Sequence, residues 1–336
     1  MSFPPSQLSA LNSQPLPSAI PVPLLTVILC AHNPHSGRLA RTLAGLAAQT
    51  LPVSDWELLV IDNASTSPLS ANKVFRAHAN ARIVAEIHVG LTRARLRGIA
   101  EAQGELLVFV DDDNVLSPAY LANVVAAFAR HPRLVAAGGP VLPEWETPPP
   151  AWAAPFHGLL ALRDLGPAEK FATGAPDAPW PDFAPVGAGL AIRREAARTY
   201  SAALAGDRRR RRLDRAGSNL ASGGDNDLVF TALHAGGDVA YLPELSLTHL
   251  IPGARLKPAY LASLNCGIMR TWVQVLALHD QCPWPAISPW TVPLRVTRAW
   301  LRAFPWLSRA ARVRFAGRRG QFEGQADLTR FADPAK

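Results

Sequence analysis

Apolar positions in the first half of the chain alternate between two periods. Leu24 to Cys30 is a short, partly β-branched apolar run that reads as a buried strand from its length and flanks. Gly37 to Gln49 follows with Leu39, Leu43 and Leu46 at helical spacing. Glu57 to Ile61 is a second strand, ending in Asp62-Asn63-Ala64-Ser65. A helix is expected over Thr92 to Gln103, stopped by Gly104 as a left-handed cap, and Leu106 to Val110 is a third strand. Ser117-Pro118 predicts the next helix start, cap first and proline at the first helical position. Leu121, Val124, Val125 and Phe128 mark its apolar face before Pro132 ends it. Short links between alternating strands and helices predict an α/β fold, a Rossmann-like mixed but mostly parallel sheet flanked by helices.

The pattern lapses from Pro140 to Pro185, where proline and tryptophan are frequent and a long ordered loop region over the sheet is expected. It returns at Val186 to Ile192, at a helix over Asp227 to Ala235 backed by Gly236-Gly237, and at a strand over Asp238 to Leu242. Beyond Arg255 the chain reads as a helical, basic, Trp-rich extension. Three segments are therefore expected: a Pro/Ser-rich disordered tail over 1–23, an α/β domain over 24–255 and the extension over 256–336. The tail has neither a basic start nor a long apolar centre, so it does not read as a signal peptide. No run of 18 apolar residues is present, and a membrane-spanning helix is not expected.

Composition supports a globular chain, with 49% hydrophobic and 18% charged residues over 336 positions. The cysteines Cys30, Cys266 and Cys282 are odd in number and widely spaced, which suits a reducing compartment rather than a disulfide framework. The net charge of +8 is unevenly placed. Between Arg255 and Arg319 eleven Lys or Arg face a single acid, Asp280. Such a cluster suits nucleic acid, anionic lipid or an anionic substrate equally well, but no nucleic-acid-binding motif accompanies it and no nucleic-acid partner is expected. A second run, Arg208 to Arg212, reads as a solvated loop.

Candidate chemistry begins at Asp111-Asp112-Asp113, three carboxylates at the end of the third strand. They repel one another at the carboxyl edge of the sheet, the edge where ligands bind in open α/β folds. A hard divalent cation, Mg²⁺ or Mn²⁺, bridging to phosphate oxygens is the usual compensation. The alternative is a solvated turn whose acids favour the following helix start. Farther on, Asp225 stands at the mouth of a predicted helix, where a carboxylate is placed either to cap or to accept a proton.

These strings, taken in order, resemble the family 2 glycosyltransferases of the GT-A fold over roughly Thr26 to Arg255. Thr26-Val27-Ile28-Leu29-Cys30-Ala31-His32-Asn33 is similar to the family's opening strand, which implies that Ala31, His32 and Asn33 border the nucleotide. Val60-Ile61-Asp62-Asn63 resembles the second strand, implying that Asp62 contacts the base. Gly90-Leu91-Thr92-Arg93-Ala94-Arg95 resembles the segment whose arginine, here Arg95, helps hold the nucleotide. By the same resemblance Asp111 lies near the ribose with Asp112 beside it, and Asp113 holds the metal on the diphosphate. Val186-Gly187-Ala188-Gly189-Leu190 resembles the small-residue segment beside the donor sugar. Asp225 matches the family's usual general base, but Gly224 stands where the motif carries glutamate. His249 matches a position where several relatives place a metal-binding histidine; its other reading is a structural, hydrogen-bonded imidazole.

The resemblance implies a cell-envelope or exopolysaccharide enzyme: a metal-dependent, inverting transfer from a nucleoside-diphosphate sugar to a hydroxyl on a glycan or lipid-linked acceptor. The alternative is a non-catalytic nucleotide-sugar-binding protein that keeps the fold. In the extension, a helical projection puts Arg295, Arg298, Arg302 and Arg309 on one side and Trp300, Phe304 and Leu307 on the other, with Pro305 expected to kink or divide the helix. That pattern suits either an anionic membrane surface or packing on the catalytic domain. The expected location is cytoplasmic, peripheral to the inner face of the membrane in the first case.

Overall fold

The chain was analysed as a computed structural model, which describes residues 23–331 except 216, 218 and 219. The predicted N-terminal tail, apart from Pro23, lies outside the described residues. Strands β1 (Leu25–Ala31), β2 (Trp56–Asn63), β3 (Ala81–Glu86) and β4 (Leu106–Asp111) alternate with helices α1 (Ser36–Ala47), α2 (Ala71–Ala77) and α3 (Leu91–Glu101). Next come β5 (Asn114–Leu116), α4 (Tyr120–Arg130), β6 (Leu134–Gly138), β7 (Val141–Trp145), β8 (Lys170–Ala172) and β9 (Ala191–Arg193). The chain continues through α5 (Arg194–Ala205), α6 (Gly224–His234), β10 (Asp238–Tyr241) and β11 (Leu247–Ile251), and ends in α7 (Pro258–Leu278), α8 (Val292–Ala303) and α9 (Arg309–Phe331).

The main sheet has the order β3-β2-β1-β4-β9-β6-β10-β8. Its β3-β2-β1-β4 half is parallel, as the apolar runs predict, because helices cover both faces and leave no polar alternation along the strands. Leu25, Val27, Leu29 and Val60 face one buried cluster, and Ile28, Leu59, Ile61 and Phe109 face the other. β9 runs antiparallel between β4 and β6, and β8 antiparallel on β10. A small second sheet, β5-β11-β7, stands beside the carboxyl edge.

Several local expectations change. Gly104 is not left-handed; α3 ends at Glu101 with an extended Ala102. Glycine is required there because a Cβ would lie 2.5 Å from the Leu25 carbonyl carbon, and its N–H donates to Thr26 Oγ1 at 2.8 Å. Ser117 and Pro118 form a turn ahead of α4, which begins only at Tyr120 and has no side-chain cap. The strand expected over Val186 to Ile192 shrinks to Ala191–Arg193, since Gly189 turns the chain with φ +74. The loop region over 140–185 includes β7, β8 and a 3-10 segment over Ala151–Leu160.

The extension is helical, as expected. α7 packs along α9, with Leu261, Leu264 and Val313 buried in one cluster beside Ile251. Among the described residues α7 alone is long and apolar enough, by length and composition, to cross a membrane, although Asn265, Arg270 and Gln274 interrupt its apolar positions. Pro305 divides the helix as predicted: Phe304 takes φ 45 and ends α8, while Arg309 opens α9. The projected face therefore holds only for Arg295, Arg298 and Arg302. No residue of α8 is fully buried.

Candidate active site

The carboxyl ends of β1, β2 and β4 are in register, pairing Ala31 with Asp62 and Cys30 with Asp111. Ala31 is buried, while His32 and Asn33 are exposed. The His32 ring Nδ1 lies 2.6 Å from the Asn63 carbonyl oxygen. Asn33, at φ 47, receives the Thr66 N–H and hydroxyl on Oδ1 at 2.8 and 2.9 Å. Asp62 accepts N–H groups from Ser65 (3.1 Å) and Leu69 (3.4 Å), so its carboxylate shapes the turn that meets Asn33. These four residues thus form one rim at the β1–β2 edge. Asn63, buried and not foreseen, extends it by accepting the Gly90 N–H at 2.8 Å, which fixes the start of α3.

On α3, Arg95 points into a buried acidic cluster. Its Nη1 donates to Asp214 Oδ2 at 3.2 Å, and its guanidinium stands 5.8 Å from the Phe109 ring centre. Burial opposes its charge, but Asp214, Asp225 and Asp111 outweigh that and raise its pKa. The Cys30 thiol beside this cluster is pushed up to about 12 by burial, which keeps it protonated and unreactive. Burial also raises the pKa of Asp111, with Arg95 opposing.

Asp225 lies in the first turn of α6, whose N-cap is Gly223 and not Asp225. Its Oδ2 accepts the Gly187 N–H at 2.8 Å and its Oδ1 the Asn226 N–H at 2.9 Å. A carboxylate oxygen has a second acceptor position, so both remain able to meet a hydroxyl. Gly187 must lack a side chain: a Cβ there would lie 2.5 Å from Arg95 Nη2 and 2.9 Å from Asp225 Oδ2. The small-residue segment therefore holds the arginine and the carboxylate side by side.

Asp214 is the residue that sequence reasoning missed. Buried, it accepts from Gly224 N (2.9 Å), Thr92 Oγ1 (3.1 Å) and Arg95 (3.2 Å). A Cβ at Gly224 would stand 2.6 Å from the Asp214 carboxyl carbon. Asp214, from the loop before α6, therefore fills the space that a side chain at position 224 would enter. Asp227 is wholly buried against Arg210, at 2.8 Å to each oxygen, and against His279 Nε2 at 2.9 Å. The Arg208 to Arg212 run is therefore not simply a solvated loop: Arg210 anchors α6.

A second group surrounds Asp113, which is buried. Its Oδ2 accepts from Arg255 Nη2 at 2.9 Å, and its Oδ1 lies 3.5 Å from His249 Nε2, in β11. Although burial would raise its pKa, the hydrogen bond and charge of His249, with Arg255 and Arg38, hold the carboxyl down at about 2. Asp112, between the two, is pushed up to about 7 by burial and by its acidic neighbours. His249 Nδ1 is buried without a partner. Among the described residues no three His, Cys, Asp or Glu side chains converge as a metal cage. Arg255 Nη1 also lies 2.9 Å from His249 Nε2, so a cation held by Asp113 and His249 would take the place of that guanidinium; a carboxylate with an imidazole suits Mn²⁺, and the carboxylate alone suits Mg²⁺, with water and substrate phosphates completing either shell.

Comparison with known proteins adds to this geometry. The family model of glycosyl transferase family 2 matches residues 26–200. The succinoglycan biosynthesis protein ExoM of Rhizobium meliloti is 29% identical over 246 residues, 71% of each chain. The O-antigen biosynthesis protein RfbC of Myxococcus xanthus is 32% identical over 116 residues, 33% of this chain and 9% of that protein. A validoxylamine A glucosyltransferase of Streptomyces hygroscopicus is 34% identical over 113 residues, 32% of this chain and 26% of its own length. The chain thus spans a minor part of these last two relatives. In fold it is similar to the mannosyltransferase PcManGT of Pyrobaculum calidifontis, described in complex with GDP-Man and Mn²⁺ (TM-score 0.53, 20% identity, 92% of this chain and 79% of that one). It is also similar to S. aureus TarS 1-349 (TM-score 0.51, 12% identity, 93% of both chains). The chain belongs to glycosyl transferase family 2 and has the GT-A fold.

Proposed function

We propose that this enzyme inverts configuration as it moves a sugar from a nucleoside diphosphate to a hydroxyl of a glycan or lipid-linked glycan, as in cell-envelope polysaccharide synthesis. The observation that carries the reading is the cluster of Asp111, Asp214 and Asp225 around Arg95, with Gly187 packed against Arg95 and Asp225. In this reading the nucleoside lies along Ala31, His32, Asn33 and Asp62, with Asp111 and Asp112 near the ribose. Arg95 offsets charge on the diphosphate from within a buried setting, where such stabilisation is strongest. Asp225 takes the proton of the acceptor hydroxyl as that oxygen attacks the anomeric carbon. The bond from that carbon to the diphosphate oxygen breaks on the opposite face.

Asp113 and His249 are the residues proposed to hold a divalent cation, Mn²⁺ or Mg²⁺. When bound, such an ion supplies charge neutralisation at the diphosphate. The similarity to proteins of succinoglycan and O-antigen biosynthesis supports the envelope-glycan assignment. The test is a thermal-shift panel of nucleoside-diphosphate sugars with each cation, followed by product analysis with the donor that stabilises most. Transfer with inverted anomeric configuration is expected, and Asp225→Asn should abolish it while retaining nucleotide binding. Near-normal turnover by that variant, or a retained anomeric configuration, overturns the mechanism. Binding without any turnover would favour a nucleotide-sugar-binding role.

A further inference from the structure

α8 is the outermost helix of the extension, resting on α9. Between them lies a groove of about 590 Å³ lined by Arg295, Arg298, Arg302, Arg314 and Arg318. None of the five forms an ion pair among the described residues; the nearby acids Glu323 and Asp327 are taken by Arg270 and Arg319. No Asp or Glu occurs between Asp280 and Glu323. Five like charges around one groove repel one another, and a bound anion relieves that repulsion. Guanidinium forks match phosphate oxygens in pairs.

The groove is not purely polar. Phe315 and Phe322 line it with Ala299 and Ala303. Outside it, Leu294 (74% exposed), Leu301 (55%) and Leu307 (72%) face solvent on α8 and the turn that follows. Trp290 (92%) precedes the helix, and Trp306 (52%) stacks at its far end beside Trp300 and Phe304. At 100° per residue Leu294 and Leu301 flank Arg298, so aliphatic and cationic rows run together along one helix. Exposed leucines give nothing to nucleic acid, which uses aromatic faces and cations. A second copy of the chain would bring a second set of unpaired arginines against the first. An anionic lipid surface accepts all three features: phosphate for the arginines, acyl chains for the leucines, and an interface for tryptophan.

We infer that the α8–α9 groove is a phospholipid-headgroup site, with α8 lying in the surface of an anionic bilayer. Arginine stems reach up to phosphate while the leucines enter the acyl boundary. The inference stands apart from the catalytic reading, since none of these residues belongs to the active site. The test is flotation of the full chain with vesicles of phosphatidylcholine alone or mixed with phosphatidylglycerol. Binding is expected only to the mixed vesicles, weakening as salt rises. The variant Arg298→Gln/Arg302→Gln/Arg314→Gln should lose about a hundredfold in partitioning, roughly fivefold per charge removed. Leu294→Gln/Leu301→Gln should also lose binding at low salt. Unfolding temperature and sugar transfer to a soluble acceptor should be unchanged in both, because all five positions are exposed. The inference is overturned by equal binding to neutral vesicles, by absence of binding at low salt, or by unchanged partitioning of the arginine variant. It is also overturned if an oligonucleotide or pyrophosphate displaces the vesicles and the leucine variant binds as well as the parent.

Discussion

The exchange between Gly224 and Asp214 can be tested by adding back what position 224 lacks. Gly224→Ala puts a methyl group 2.6 Å from the Asp214 carboxyl carbon and 2.9 Å from Oδ1, well inside contact distance. Asp214 must then withdraw from Gly224 N, Thr92 and Arg95. Overpacking of this kind costs about 1–3 kcal/mol. Breaking the pair with buried Arg95 would by itself cost about 3–5 kcal/mol, reduced here because Asp111 and Asp225 still attend that arginine. Both single variants, Gly224→Ala and Asp214→Ala, are therefore expected to lose about 2–4 kcal/mol by urea unfolding. The double variant is the informative one. With the carboxylate gone the methyl group has room, so it should be no less stable than Asp214→Ala alone, a coupling as large as the Gly224→Ala loss itself, about 2–4 kcal/mol. Asp214→Ala/Gly224→Glu should in turn recover part of the transfer activity, because a carboxylate again faces Arg95. Additive losses in the double variant, or a Gly224→Ala protein as stable as the parent, would refute the exchange.

Gly187→Ala should lower kcat about a hundredfold with a smaller effect on stability, since its methyl group would wedge Arg95 from Asp225 and misplacement near 1 Å costs about that much; steady-state kinetics with circular dichroism separates the two effects. Asp113→Ala should remove the increase in donor affinity produced by Mn²⁺, measured by calorimetry with and without the ion. His78 packs 3.8 Å from Trp56, and burial lowers its pKa. The unfolded imidazole therefore takes a proton as pH falls below 6.5 while the folded one resists, so stability is full above that pH and is lost below it. His78→Phe should flatten this acid-side slope in urea titrations; an unaltered slope would assign it to other groups.

The parallel half of the sheet was legible because β1, β2 and β4 carry unbroken apolar runs, and the donor-side residues followed from where those runs end. α2 and β3 were not. α2 is only seven residues long, and β3, at the sheet edge, is mostly half-exposed and lacks both an apolar run and clean alternation. The β5-β11-β7 sheet depends on pairings across the whole chain, such as His249 with Asn114, which no local period reveals. Asp214 lies next to a basic run and had no pattern of its own. The single clue was a deficit, the glycine at 224, and only distance shows which carboxylate makes it good. Arg210 was hidden in the same way, one of five arginines in a row until the fold selects it for Asp227.

The α6–α7 contact bears on how this enzyme can be recombined with its relatives. Asp227, two residues beyond Asp225, is held partly by His279, and the His279 ring stacks on Phe230 with centres 4.5 Å apart. The start of α6 at Gly223 nestles against Thr271 and Val275, where a Cβ would come within 3.2 Å. The last quarter of the chain is thus not a detachable tail. A chimera spliced at residue 255 inherits Phe230 without its cover, about 1.5–3 kcal/mol of burial forfeited, and an acid short of one donor. Successful grafts will be those whose incoming helix brings an imidazole and a closely fitting face to the same places, so that exchange of C-terminal extensions is restricted by a requirement set inside α6.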